Sequence, residues 1–222
     1  MSNPKLQYHA DGTPSVLKKR TDYTKLRFYQ RSDVLYQLTK AFCTRFLPKF
    51  GDRTVAQMVQ SARSIKQNIV EGFTDGQTSS EVEIKLLGIA RGSNQELLED
   101  YMDYLKYNRI TEWRGNSPRF EALYTFCKEN SELAAFQPYI DRWTDEEIAN
   151  CCICMCHMVD KGLDSYIKNL DRQFVEEGGI RERMTAARLE KRASQKEQIE
   201  QLKAENAALR REIAALKRRL GE

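Results

Sequence analysis

Cys151, Cys152, Cys154, Cys156 and His157 are the densest set of chemically versatile side chains in the sequence. Thiolate and imidazole are the ligands of structural zinc, and a cysteine beside a histidine is also how thiol nucleophiles are activated. The spacing argues against both. The segment reads as a helix, and at ~100° per residue Cys152 and Cys156 share an inward face with Ile148 and Val159. Cys151 falls at the edge of that face, while Cys154 and His157 point well away from it. Ligands on such divergent vectors do not close one tetrahedron. The thiols read as small, polarizable core fillers, with Cys154 and His157 as an exposed pair.

Other chemistry fails on supply. The only histidines are His9 and His157, and neither follows a Glu at the spacing of a carboxylate-bridged di-metal bundle. A phosphate-binding glycine loop, a dinucleotide fingerprint and a His-Glu-x-x-His zinc motif are absent. The expectation is a protein without catalytic residues, metal or cofactor. The remaining functional feature is a run of cations, Lys18, Lys19, Arg20, Lys25, Arg27 and Arg31, interleaved with Tyr23, Phe28 and Tyr29. Cations neutralise phosphates and aromatic rings stack on bases, so the run is a candidate for RNA or DNA. The same rings could equally pack on a helical core.

Charge is distributed to match. Residues 1–50 hold ten Lys/Arg and three Asp/Glu, and residues 180–222 hold twelve and seven, within a total of 36 and 32. The middle is therefore acidic, a pattern that admits nucleic acid at the ends or pairing with copies of the same chain. No apolar run reaches the ~18 residues a membrane helix needs, and residues 1–20 lack a signal-peptide stretch. Reduced thiols in the cytoplasm are expected.

The elements that must position these groups are helices. Apolar stripes of period 3.6 run from about Tyr23 to Leu47, Val55 to Val70, and Ser80 to Tyr107. A fourth runs from Thr144 to Phe174. Pro48 and Gly51 end the first, with Thr54 capping the second, and Gly72 ends the second. Ser80 with Glu83, and Thr144 with Glu147, read as capping boxes, and Gly178-Gly179 stops the fourth helix. A short helix over 119–129 sits in a weaker segment, and no period-two strand is evident. The expectation is all-α: an up-and-down four-helix bundle over 23–179 with an inserted segment at about 109–143. A flexible basic arm, 1–22, precedes it and a helical linker and coiled coil, 180–222, follow.

The coiled coil has a heptad frame. Ile199, Asn206, Ile213 and Leu220 occupy a, and Leu202, Leu209 and Leu216 occupy d. Isoleucine at a with leucine at d favours two parallel strands, and one Asn at a fixes that register. Glu205 and Glu212 at g face Arg210 and Lys217 at e of a second copy, pairs that set register more than affinity.

Two stretches are more specific than amphipathicity requires: Ser61-Ala62-Arg63-Ser64-Ile65-Lys66-Gln67-Asn68-Ile69-Val70-Glu71-Gly72-Phe73 and Ile89-Ala90-Arg91-Gly92-Ser93-Asn94-Gln95-Glu96-Leu97. They resemble the paired signatures of a bacterial four-helix-bundle family. That family includes the proteins encoded in intervening sequences of 23S rRNA genes and the accessory variability protein of diversity-generating retroelements. Leu26-Arg27-Phe28-Tyr29-Gln30 is similar too. The resemblance implies a ring-like homo-pentamer of four-helix protomers and, in the retroelement member, a basic surface for a reverse transcriptase and template RNA. Within the signatures, Asn68 and Glu71 are expected to bond across the bundle or cap the turn at Gly72. Arg63 and Arg91 are expected to pair with Glu71 or Glu96, and Gly92 and Ser93 to admit a close helix. A dimeric coiled coil fits five-fold symmetry poorly. Two functions stay open: a non-catalytic, nucleic-acid-associated accessory protein, or a scaffold that clusters copies without nucleic acid.

Overall fold

The computed structural model describes residues 6–17, 22–47, 53–115 and 117–220. Contacts divide the chain into two compact units, residues 19–175 and residues 1–18 with 176–222.

The described elements of the larger unit are all helical. Asp22 caps a 3-10 turn, Tyr23–Lys25, which leads into α1 (Arg27–Phe46). Then follow α2 (Thr54–Asp75), α3 (Ser80–Asn108), α4 (Pro118–Glu129), α5 (Leu133–Ile140) and α6 (Asp145–Glu177). The expected stripes meet in one core: Leu35, Leu38 and Phe42 of α1, Met58, Ile65 and Ile69 of α2, Leu87, Leu97 and Tyr101 of α3, and Ile148, Met155 and Val159 of α6 are all fully buried. Two of its buried hydroxyls are satisfied in series, Tyr101 donating to Thr39 Oγ1 at 2.9 Å and Thr39 donating to Leu35 O at 2.7 Å.

Several expectations are corrected. Gly72 does not stop α2, which runs on to Asp75; a Cβ at Gly72 would sit at ordinary contact distance from Leu86 and Leu87 of α3, 3.5 Å. The stop is Gly76, where a Cβ would run into the Glu83 carboxylate. Thr54 is the first residue of α2 rather than its cap, and Pro48 and Gly51 lie outside the described residues. The cap of α3 is Ser79, whose Oγ accepts from Val82 N at 3.3 Å, so Ser80 and Glu83 are not a capping box. Both are buried instead, and Glu83 accepts from Tyr166 OH of α6 at 3.3 Å. The Thr144–Glu147 box stands, with Thr144 N donating to Glu147 at 2.8 Å and Glu147 N to Thr144 Oγ1 at 3.2 Å. Helix α5 has no counterpart in the sequence reading, being only eight residues with Pro138 inside.

The smaller unit contains α7 (Ile180–Leu220), entered after Gly178 at φ +72°. It also contains a hairpin of β1 (Gln7–Tyr8) and β2 (Pro14–Ser15), paired antiparallel with Tyr8 opposite Pro14. Two-residue strands carry no alternation to read, hence their absence from the sequence expectation. The turn is set by Gly12 at φ +79° and by Asp11, whose carboxylate accepts from Thr13 N at 2.9 Å and Thr13 Oγ1 at 2.6 Å. The hairpin docks on α7. Arg183, buried, donates to Val16 O at 3.1 Å, and Tyr8 OH donates to Glu190 at 3.2 Å.

Helix α6 passes α1 closely at Gly162, where a Cβ would lie 2.8 Å from Phe28 Cβ. Gly162→Ala should therefore lower unfolding free energy by about 1–3 kcal/mol despite its better helix propensity. Urea denaturation followed by circular dichroism measures it, and a stabilised variant would contradict this approach.

Candidate nucleic-acid and assembly interfaces

Of the basic run, Arg31 is turned into the fold and Arg27 is engaged at its surface. Arg31 is buried, and its Nη2 donates to Cys127 O at 3.1 Å and Lys128 O at 3.2 Å. Arg27, though exposed, reaches Glu129 O at 3.4 Å. Two guanidiniums thus sit on the last carbonyls of α4, where the helix dipole favours positive charge. Further along α1, Arg45 donates to Ile140 O at the end of α5 and to Trp143 O at 2.8 Å. These arginines fasten the 109–143 segment to α1. Burial and the neighbouring Arg27 hold the Arg31 pKa below its ordinary value. The interleaved rings are engaged too: Phe28 is buried, and Tyr29 meets Tyr23 edge-on at 4.9 Å. Lys25 is exposed and pairs with Asp22 at 3.4 Å. Lys18, Lys19 and Arg20 lie outside the described residues.

The signature residues knit helices together. Ser93 donates to Ser64 Oγ at 2.9 Å, and Asn68 donates to Ser64 O and Oγ at 2.9 and 3.0 Å, a polar chain joining α3 to α2. Ser61 adds a second rung, donating to Glu96 at 3.2 Å. Arg91 does not meet Glu71 or Glu96. It forks between Asp160 at 2.8 Å and Asp164 at 3.1 Å on α6. Lys168 and Arg91 together hold the Asp164 carboxyl below the usual carboxylate range. Arg63 and Glu71 are exposed, and a Cβ at Gly92 would meet nothing within 4 Å, so no described helix of the same chain approaches there. Asn94, whose role the sequence did not single out, is 1% exposed and donates to Cys156 O of α6 at 3.0 Å.

All six cysteines are free and buried, Cys154 included, which corrects its expected exposure. Only His157 is exposed. From Ile148 to Cys156 every residue of α6 is buried, because α4 and α5 cover the side that a bundle face would leave to solvent. Cys127 of α4 and Cys151 lie 3.7 Å apart. Among the described residues no group of His, Cys, Asp and Glu is arranged to hold a metal ion. Burial pushes the Cys43 thiol up to about 12 and the Cys152 and Cys156 thiols up as well. Contact with Cys127 and burial raise Cys154. These are poor nucleophiles, since the thiolate is the reactive form. An open cleft of about 540 Å³ is lined by Trp113, Phe126, Tyr139 and Trp143. Its arginine, Arg119, is turned onto the Trp113 ring and stands 3.6 Å from Glu146.

In the smaller unit the heptad residues are helical and unburied. Ile199, Leu202, Leu209, Ile213 and Leu216 are 50–57% exposed, and Asn206 donates to Leu202 O at 3.2 Å. The side chain of Leu220 lies outside the described residues.

Residues 24–133 match the family model of the 23S rRNA-intervening sequence protein. This segment of the chain belongs to that family. The matched stretch takes in α1 to α4 and holds every signature residue, ending as α5 begins, so α6 and α7 lie beyond it. Neither a curated protein nor a solved structure matches the chain. Among the described residues no helix is long and apolar enough to cross a membrane.

Two outcomes follow from this geometry. Arg31→Met leaves the Cys127 and Lys128 carbonyls short of a donor and should cost about 1–3 kcal/mol. Hydrogen exchange should show the loosening concentrated in α4 and α5; uniform protection would contradict the clamp. Iodoacetamide at pH 8 should leave all six thiols unmodified in the native protein and modify all six in urea, read by mass spectrometry. Rapid native labelling of Cys152 or Cys156 would contradict their enclosure.

Proposed function

We propose that this chain is a non-catalytic, nucleic-acid-associated assembly protein. In this reading α1, α2, α3 and α6 form an up-and-down four-helix unit, and α7 joins two copies as a parallel coiled coil. The observation that carries it is the seam of α7, five large apolar side chains at a and d left half-exposed on one face of a continuous helix. Burying the exposed half of each contributes on the order of 1 kcal/mol. Five from each copy amount to about 10 kcal/mol, against an association cost of about 4–15 kcal/mol. A moderate, concentration-dependent dimer is the consequence. Asn206 at an a position and the Glu205–Arg210 and Glu212–Lys217 pairing across copies favour parallel, in-register strands over other arrangements.

Nucleic-acid association rests on the family of residues 24–133 and on the cationic ends of the chain. The non-catalytic reading rests on buried thiols held protonated and on the isolation of His157. The pentamer and the reverse transcriptase partner that the family resemblance implies would require surfaces of the larger unit, whereas the observed unpartnered seam is on α7.

Solution mass by light scattering should rise from one to two copies across the micromolar range. Ile199→Asp with Ile213→Asp should hold the protein at one copy with its helical circular dichroism largely kept. A full chain that stays monomeric at tens of micromolar would remove the coiled coil from the proposal. A five-copy mass unaffected by the double variant would move assembly to the larger unit.

A further inference from the structure

The seam of α7 changes character just before Ile199. The helix continues N-terminally without interruption to Ile180, so the heptad frame can be counted backwards. Gln195 falls at d, Arg192 at a, Arg188 at d, Thr185 at a and Arg181 at d. Within one heptad an isoleucine–leucine seam becomes an arginine seam. The flanking positions change with it. Lys191 at g faces Lys196 at e of the partner subunit, where the later heptads oppose Glu to Arg and Glu to Lys. In a parallel, in-register dimer Arg188 and Arg192 would each confront their own copies. Like charges repel most strongly where water is excluded. The two helices therefore part N-terminal to Ile199, each carrying an outward row of cations.

The hairpin borders that row without covering it: Arg188 and Lys191 line an open cleft with Thr13, Pro14 and Val16 and stay exposed. The hairpin is held by Arg183, Ala187 and Glu190, of which Arg183 and Ala187 are buried. At ~100° per residue these three lie on the opposite side of the helix from Arg181, Arg188 and Arg192. Arg188, Lys191, Arg192 and Lys196 are all exposed. Among the described residues α7 makes an ion pair only at Lys203–Glu200, 2.9 Å, so none of the four is neutralised.

We infer that these four residues from each of two copies form a cationic fork that straddles duplex DNA, each helix lying in the major groove. The B-form major groove is about 12 Å wide and admits an α-helix, whereas the deep, narrow major groove of duplex RNA does not. A helical fork leaving a zipper is a known way to present cations to both sides of a duplex. The inference rests on the parallel dimer proposed above and deepens it by naming the ligand and its site.

The test uses the full chain with three labelled probes, a short duplex DNA, the same sequence as duplex RNA, and single-stranded RNA. Affinity is measured between about 50 and 200 mM salt, with solution mass measured in parallel. Duplex DNA should bind at least about tenfold tighter than either RNA, with log K falling steeply as log salt rises. Arg188→Gln with Arg192→Gln removes four charges per dimer. It should keep the dimer mass and helicity, weaken duplex binding by more than about tenfold and reduce the salt slope by about 3 to 4. Arg211→Gln with Arg218→Gln removes the same charge from the outer face of the zipper and should leave affinity within about threefold. A dimer that binds either RNA as tightly as duplex DNA overturns the fork alone. So does a dimer whose duplex affinity ignores Arg188 and Arg192. A monomeric full chain overturns the dimer and the fork together.

Discussion

A helix whose residues are almost all apolar has to be surrounded, and from Ile148 to Cys156 α6 is such a helix, with Asn150 the exception. Much of the larger unit follows from that requirement. Helices α1, α2 and α3 supply the core on one side, and α4 with α5 must close the other. The enclosed side chains are small where helices crowd, which accounts for four cysteines in six positions: a thiol fills space between alanine and methionine without demanding a strong hydrogen bond. The one polar side chain of that stretch is matched. Asn150 accepts from Trp113 N at 2.6 Å and donates to Thr111 O at 3.1 Å, tying the connection before α4 to α6.

Closing α4 and α5 over α6 leaves their C-terminal carbonyls in need of donors. Arg27, Arg31 and Arg45 of α1 meet that need, Arg31 from inside the fold and the other two from its surface. Other charges are balanced in the same local way, Lys66 with Asp33 and Arg91 with Asp160 and Asp164. Part of the basic character of the larger unit is thus taken up as structure. Between Arg188 and Lys196, by contrast, the exposed cations of α7 form no ion pair among the described residues.

What could be read from the sequence was local. Helix periodicity, the Thr144–Glu147 box, the Gly178 stop and the heptads of α7 each depend on residues within a turn or two, and each matches the structure as a helical element. What could not be read was non-local. The carbonyl partners of Arg27 and Arg31 lie 96 to 102 positions away, and those of Arg45 lie 95 and 98 away. Cys154 was assigned to solvent because a helical wheel knows only one covering face, and α6 has two. The hairpin and α5 were missed because two-residue strands and an eight-residue helix containing Pro138 give too little pattern to register. Arg91 was matched to nearby glutamates, whereas its aspartates sit on another helix about 70 positions along the chain.

The hairpin at the start of the chain has its docking surface near the end. Tyr8 and Glu190 are separated by 182 positions. During synthesis the N-terminal strands leave the ribosome first yet find nothing to bind until α7 has emerged, by which time all of α1 to α6 is already available to fold as a unit. The smaller unit therefore cannot assemble before α7 has been made. Bringing together groups so far apart in sequence makes closure of the hairpin on α7 a costlier search than the short-range pairing of α2 with α3.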